Sequence, residues 1–195
     1  MLRETLKNHK IILASGSPRR QAFFKELDID FEIDVKEIDE KYPSSLKGSD
    51  ITDYISQQKA SAFKNLQKNE VLITSDTIVW VENQAIGKPN DFEDAKKMLQ
   101  KLSGKMHEVI TSVCFTTSSF QTTQNDLTKV WFKTLSNEEI DYYLKTYKPF
   151  DKAGSYGIQE WIGYIGIEKI EGCYFNVMGL PIRLVYKTLK DIASR

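Results

Sequence analysis

The chain has 195 residues, which points to one domain or two small lobes sharing a core. Its 27 Lys and Arg balance its 27 Asp and Glu, so the net charge is zero, which argues against a nucleic-acid coat or a polybasic membrane binder. With 41% apolar and 28% charged residues the composition is that of a globular, not a disordered, protein, and two cysteines without a CxxC make neither a disulfide framework nor a structural zinc site.

The first element is a short apolar strand at Lys10–Ala14. Ile11–Ala14 is too short for the core of a signal peptide, and no apolar run has the length of a membrane span, so a cytoplasmic protein is expected. Pro18–Leu27 reads as a helix, with Pro18 at its first position and Ser17 as cap. Phe31–Val35 alternates like a strand. Ile51–Leu66 places Ile51, Tyr54, Ile55, Ala62, Phe63 and Leu66 on one helical face.

Val71–Val81 is a long β-rich run. Asn90–Leu102 predicts a helix, capped by Asn90 with Glu93 three residues on, and ended at Ser103-Gly104. His107–Thr117 and Lys129–Leu135 predict strands that pair across the polar stretch Ser118–Asp126. Ser136 and Glu139 form a capping box before Ile140, Tyr143, Leu144 and Tyr147, and Lys148-Pro149 stops that helix. Ile162–Ile170 predicts a strand and Pro181–Ile192 a closing helix. Strands adjacent in sequence and strands separated by helices both occur, so the expected class is α/β with a mixed sheet.

Four segments break the local rules. In Ala14-Ser15-Gly16-Ser17-Pro18-Arg19-Arg20 a tight small-residue turn opens a helix whose first turn carries two arginines. A helix N-terminus prefers negative charge, so the arginines cost roughly 0.3–1 kcal/mol each unless an anion compensates. Either a phosphate is held there, by backbone N–H groups and the two guanidinium forks, or the arginines are solvated. Asp76 stands in mid-strand in Ser75-Asp76-Thr77. Buried, it must be paired, hydrogen-bonded or metal-bound; at an exposed strand end it needs only a neighbouring threonine. Gly87-Lys88-Pro89 is a turn with one lysine. Phe150–Gln159 is a glycine-containing loop with a charged pair and a terminal amide, which either reads a base edge or is an ordinary loop.

Ile38-Asp39-Glu40 adds two carboxylates after a strand. There is no GxSxG, HExxH, GxGxxG or P-loop, and of the two histidines only His107 could serve a histidine-based mechanism.

These segments together resemble the Maf family of nucleoside triphosphate pyrophosphatases. The resemblance is carried by Ser15-Gly16-Ser17-Pro18-Arg19-Arg20, Ser75-Asp76-Thr77, Gly87-Lys88-Pro89, Gly104-Lys105-Met106-His107, Asp151-Lys152-Ala153-Gly154 and Asn176–Pro181, in the family's order. It runs from about Lys10 to the C-terminal helix. It implies a single domain over 1–195 with a mixed, partly antiparallel sheet flanked by helices and a cleft between two lobes (ITPase/Maf-like). It implies hydrolysis of dTTP and UTP, with modified pyrimidine nucleotides as further substrates, between the α and β phosphates.

The same resemblance assigns roles. Asp76 would be the general base or would position the water; Glu40 would be the second essential carboxylate. Both would ligate a divalent cation, Mg²⁺ with Mn²⁺ as the alternative. Ser15, Arg19, Arg20, Lys59, Lys88 and Lys152 would hold the triphosphate, and Arg19, Thr77 and Gln159 would set specificity. The partner implied is a nucleotide, not a nucleic-acid polymer or a membrane, and the family suggests a homodimer. Magnesium takes oxygen ligands, often one or two carboxylates plus substrate phosphates. The Gln159 amide could pair with the O4/N3–H edge that uracil and thymine share.

Two departures stand out. Gln159 is followed by Glu160-Trp161 where relatives commonly have small glycines, which adds bulk and negative charge beside the expected base pocket. Cys173 stands where relatives often have a polar residue. Three other readings remain: the same reaction on methylated guanine nucleotides, against which Gln159 argues; a nucleotide-binding regulator of cell division whose catalysis is incidental or lost, against which loss the intact set Arg19, Arg20, Glu40, Asp76 and Lys88 argues; and a generic phosphate-binding α/β domain.

Overall fold

The structure, a computed structural model, describes residues 2–194. Seven strands, β1 (Lys10–Leu13), β2 (Phe31–Ile33), β3 (Glu70–Val81), β4 (Gln84–Ile86), β5 (Met106–Thr116), β6 (Gln121–Phe132) and β7 (Ile167–Glu171), form one mixed sheet in the order β2-β1-β3-β5-β6-β7, with β4 paired on β3. β1 pairs in parallel with β2 and β3, while β4 is antiparallel to β3 and β7 to β6. Parallel neighbours need crossovers. α2 (Pro18–Glu26) returns the chain from β1 to β2, and α3 (Ser49–Ser61) from β2 to β3. The mixed α/β class read from the sequence is borne out.

Local signals placed several helices well. α5 (Asn137–Tyr147) carries the expected capping box between Ser136 and Glu139, and α2 has Pro18 in its first turn. Ser17 is the N-cap of α2, but its side chain makes no capping bond. α8 (Ile182–Ala193) closes the chain behind Pro181.

Several boundaries differ from expectation. α4 (Phe92–Leu102) is capped by Asp91, whose side chain accepts from the Asp94 N–H, not by Asn90. Asn90 instead donates from its backbone and its amide to the Asp94 carboxylate at 2.9 and 3.0 Å. The aspartate at 91 is simply nearer the first-turn N–H groups. α3 ends at Ser61, five residues before Leu66. The stretch 118–126 is not a connector: β5 (Met106–Thr116) turns at Thr117, which bonds Phe120, and β6 runs from Gln121 to Phe132. Its threonines suit a strand with one exposed side. The expected strand at 162–170 is α6 (Trp161–Gly166) followed by β7. Short helices α1 (Leu2–Thr5) and α7 (Tyr174–Val177) and a 3₁₀ turn at Ala153–Ser155 complete the chain.

The chain divides into two compact units. The first holds the chain up to Asp76, Thr111–Asp126 and the segment from Gly179 on; the second holds Thr77–Ile110 and Leu127–Met178. In the first, Ile12, Leu72, Ala60 and Cys114 pack between sheet and α3. In the second, Val79, Leu99, Leu102, Val130, Phe132, Tyr143, Leu144 and Ile162 are among the buried core. Among the described residues no helix is long and apolar enough to cross a membrane.

Candidate active site

The first unit gathers Ser15, Arg19, Arg20, Glu40, Lys59 and Asp76. The cause lies in the periodicities of β3 and α3. Residues 72, 74 and 76 share one face of β3, and residues 56, 59 and 60 share one stripe of α3. Leu72 packs on Ala60, the Thr74 hydroxyl donates to the Ser56 carbonyl at 2.7 Å, and Lys59 Nζ lies 2.8 Å from Asp76 Oδ1. The apolar contact at 72 and the hydroxyl at 74 thus set the register that brings Lys59 over Asp76.

Asp76 is 8% exposed, so its charge needs a partner. Lys59 supplies one, and Lys59 also pairs with Glu40 Oε1 at 2.9 Å. Two carboxylates from distant segments therefore converge on one ammonium. The segment carrying Glu40 is irregular. Just before it, Lys36 Nζ donates to the Ala62 carbonyl at 3.2 Å and sits 4.2 Å over the Phe63 ring.

The opening turn is built on backbone bonds. Ser15 is buried; its hydroxyl accepts from the Ser17 N–H at 3.3 Å and its carbonyl accepts from Gln21 Nε2 at 3.1 Å. Arg20 Nε donates to the Gly179 carbonyl at 2.8 Å and Nη1 to the Ser75 carbonyl at 3.0 Å. Burial pushes the Arg20 guanidinium down to about 10, with Asp76 opposing the shift and Arg19 adding to it; it remains a cation at neutral pH. Arg20 is thus a strut between β3 and Gly179 as well as a charge. Gly179 has φ of +103°, which favours glycine.

Thr77, Lys88, Lys152 and Gln159 belong to the second unit. Thr77 is half-buried and Lys88 exposed. Lys152 is buried between carboxylates, 2.7 Å from Asp151 Oδ1 and 3.1 Å from Glu160 Oε1. Gln159 is half-buried, and its side-chain oxygen is enclosed without a hydrogen-bond partner among the described residues. Glu160 is tied to Lys152 and accepts from the Tyr143 hydroxyl. His107 is 1% exposed in the core of this unit, with Nε2 2.7 Å from the Tyr156 hydroxyl, and burial pushes its pKa down to about 3.

Four contributors escaped the sequence reading. Gln21 acts on a backbone carbonyl and Gly179 offers its own to Arg20, and Tyr143 reads as an ordinary core residue of α5. Ser75 lies inside a quoted motif without a role. It is 1% exposed and its hydroxyl has no partner among the described residues. Among them, too, no three His, Cys, Asp or Glu side chains gather as a metal cage.

Residues 10–192 match the family described as Maf-like protein. The chain belongs to the Maf family. A relative from Flavobacterium psychrophilum, named dTTP/UTP pyrophosphatase, is 62% identical over 187 residues, covering 95% of this chain and 96% of that protein. One from Christiangramia forsetii with the same name is 58% identical over 195 residues and covers both chains completely. The solved structure of a HAM1 protein from Coxiella burnetii covers 94% of this Maf chain and 99% of its own at 12% identity, with a TM-score of 0.48, too distant to carry an argument.

Proposed function

We propose that this Maf protein hydrolyses dTTP and UTP to the nucleoside monophosphate and pyrophosphate. The observation that carries the reading is the convergence of Glu40 and Asp76 on Lys59, beside the turn at Ser15–Arg20. The names borne by its close relatives supply the substrate class. The match over 10–192 spans both units, so we read 1–195 as one domain.

The donor set fits a hard divalent cation. Glu40 and Asp76 offer carboxylate oxygens that already share a cationic partner, and Mg²⁺ needs only one or two carboxylates when substrate phosphates complete its shell. When bound, Mg²⁺ or Mn²⁺ supplies neutralising charge at the phosphate oxygens and acidifies water. Asp76 accepts the proton of the attacking water. Lys59 holds that carboxylate in place from the covered side of β3. Arg19 and Arg20, in the first turn of α2, where the Ser17 side chain makes no capping bond, receive phosphate oxygens and offset charge growing on the leaving pyrophosphate. Lys88 and Lys152 are the expected phosphate contacts of the second unit. The Gln159 amide, whose oxygen has no hydrogen-bond partner among the described residues, suits the N3–H of uracil or thymine. Cys114 and Cys173 are free thiols, which fits the cytoplasm. A homodimer is the assembly we expect, to be read by light scattering.

The test is pyrophosphate release across a nucleotide panel with Mg²⁺. The wild type should turn over UTP and dTTP, and Asp76→Asn should lose roughly 10²–10⁴-fold in kcat, the range of general-base catalysis. Gln159→Ala should narrow the preference for UTP over CTP without unfolding the chain. No turnover of any nucleotide sinks the enzymatic reading; turnover of 7-methyl-GTP alone sinks the substrate assignment.

A further inference from the structure

Among the described residues the Gln159 side-chain oxygen is enclosed without a partner, so its position is imposed from outside. The backbone before it is held by an unusual chain of contacts. The Gly157 N–H donates to the Tyr143 hydroxyl at 3.0 Å, and that hydroxyl donates to Glu160 Oε2. The other oxygen of Glu160 pairs with Lys152 at 3.1 Å. Tyr143 is fully buried and Lys152 is 9% exposed, with the half-buried Glu160 between them.

Two glycines close the turn around this chain. A Cβ on Gly157 would stand 2.9 Å from Glu160 Cδ and 3.1 Å from Gln159 Nε2. A Cβ on Gly163 would stand 1.9 Å from the Ile158 carbonyl oxygen. The Tyr164 hydroxyl adds a bond to the Gln159 carbonyl at 2.9 Å. Glu160 therefore does not present a free negative charge to a base. Both of its oxygens are engaged, and its carboxylate packs beside the amide that follows the turn.

We propose that Tyr143 and Glu160 are positioning residues, which fix the Gln159 amide through the Lys152–Glu160–Tyr143 chain and thereby set base preference. The inference rests on the pyrimidine reading above and adds residues that act through Gln159. It also makes Lys152 the counter-ion of Glu160.

The experiment is a double-mutant cycle of Tyr143→Phe and Gln159→Ala, read as the UTP/CTP ratio of kcat/KM. Phenylalanine keeps the ring that stacks on Tyr147 and removes only the hydroxyl. Tyr143→Phe should lower the ratio about tenfold, through the KM for UTP with kcat nearly unchanged. In the Gln159→Ala background it should change the ratio no further. Hydrogen exchange should quicken locally in the peptide around Gly157 and not elsewhere. An unchanged ratio, or effects that add independently of Gln159, overturns the proposal while leaving the pyrimidine reading intact if the wild type prefers UTP and dTTP. If the wild type turns over no pyrimidine nucleotide, that reading has failed, and the same cycle on the base it does prefer decides the proposal. If Tyr143→Phe does not fold, Glu160→Gln carries the cycle with the same two outcomes.

Discussion

His107 gives the sharpest quantitative prediction, because it separates a structural histidine from a catalytic one. Its ring is 1% exposed, bonds the Tyr156 hydroxyl and stands edge-on to Phe132 at 5.1 Å. Burial lowers its pKa from 6.5 to about 3. Between those values the unfolded chain binds a proton at this position and the native chain does not. Native stability therefore falls as pH falls through 6.5 toward 3, and is unaffected by His107 above that window. At about pH 4.5 the loss is about 2.7 kcal/mol, from two pH units at 1.36 kcal/mol each. The perturbation is His107→Gln, whose amide can still bond Tyr156 and which does not titrate. Urea unfolding, followed by tryptophan fluorescence at about pH 7 and about pH 4.5, measures the pH-dependent loss in each protein; paired carboxylates lose stability in both and cancel. The variant's loss should be smaller by about 2–3 kcal/mol. Equal losses in the two proteins would refute the burial argument. As a corollary, the pH profile of kcat carries no limb from His107.

Two further predictions test the struts and the tight turn. Arg20→Lys keeps the charge, but one ammonium cannot reproduce the separate Nε and Nη1 bonds to Gly179 and Ser75, so unfolding free energy should drop by about 2 kcal/mol, read by denaturant titration; an unchanged midpoint would show that Arg20 is no strut. Gly154→Ala forces a side chain onto a φ of +69° with its Cβ 2.8 Å from Val79 Cγ2, and should cost about 2–4 kcal/mol. Gly16→Ala, with nothing within 4 Å, is its near-neutral control, and equal stability of the two variants would contradict the packing argument.

What the sequence made legible followed how local the cause was. The α5 boundaries were readable because Ser136 and Glu139 cap each other within four residues. β3 was readable as a β-branched run, and Asp76 stood out as the residue that such a strand should not contain. The 161–166 segment was misread because Trp161-Ile162-Gly163-Tyr164-Ile165-Gly166 suits either period, and the choice depends on Gly163 closing against the Ile158 carbonyl. β6 was cut short because its first half carries Thr, Gln and Asn with no apolar face to announce it. The site divides the same way. Lys59 looks like a solvated lysine at a helix end, and only the resemblance singled it out; its partners lie at 40 and 76. The hydroxyl of Tyr143 was invisible because its ring alone explains its place in the core.

The zero net charge first excluded only a broad polyanion binder. The structure shows why a count of lysines and arginines is a poor guide to what a triphosphate would meet. Of the five cations expected to face it, Lys59 is already neutralised by Asp76 and Glu40, and Lys152 by Asp151 and Glu160. Each is buried or nearly so, where an unpaired charge is not tolerated, so each had to bring carboxylates with it. Lys59 is then best understood as the residue that keeps two carboxylates together, and Lys152 as the one that keeps Glu160 folded under Gln159. A buried lysine expected to meet a phosphate is therefore first evidence for the carboxylates around it, and only then for the phosphate.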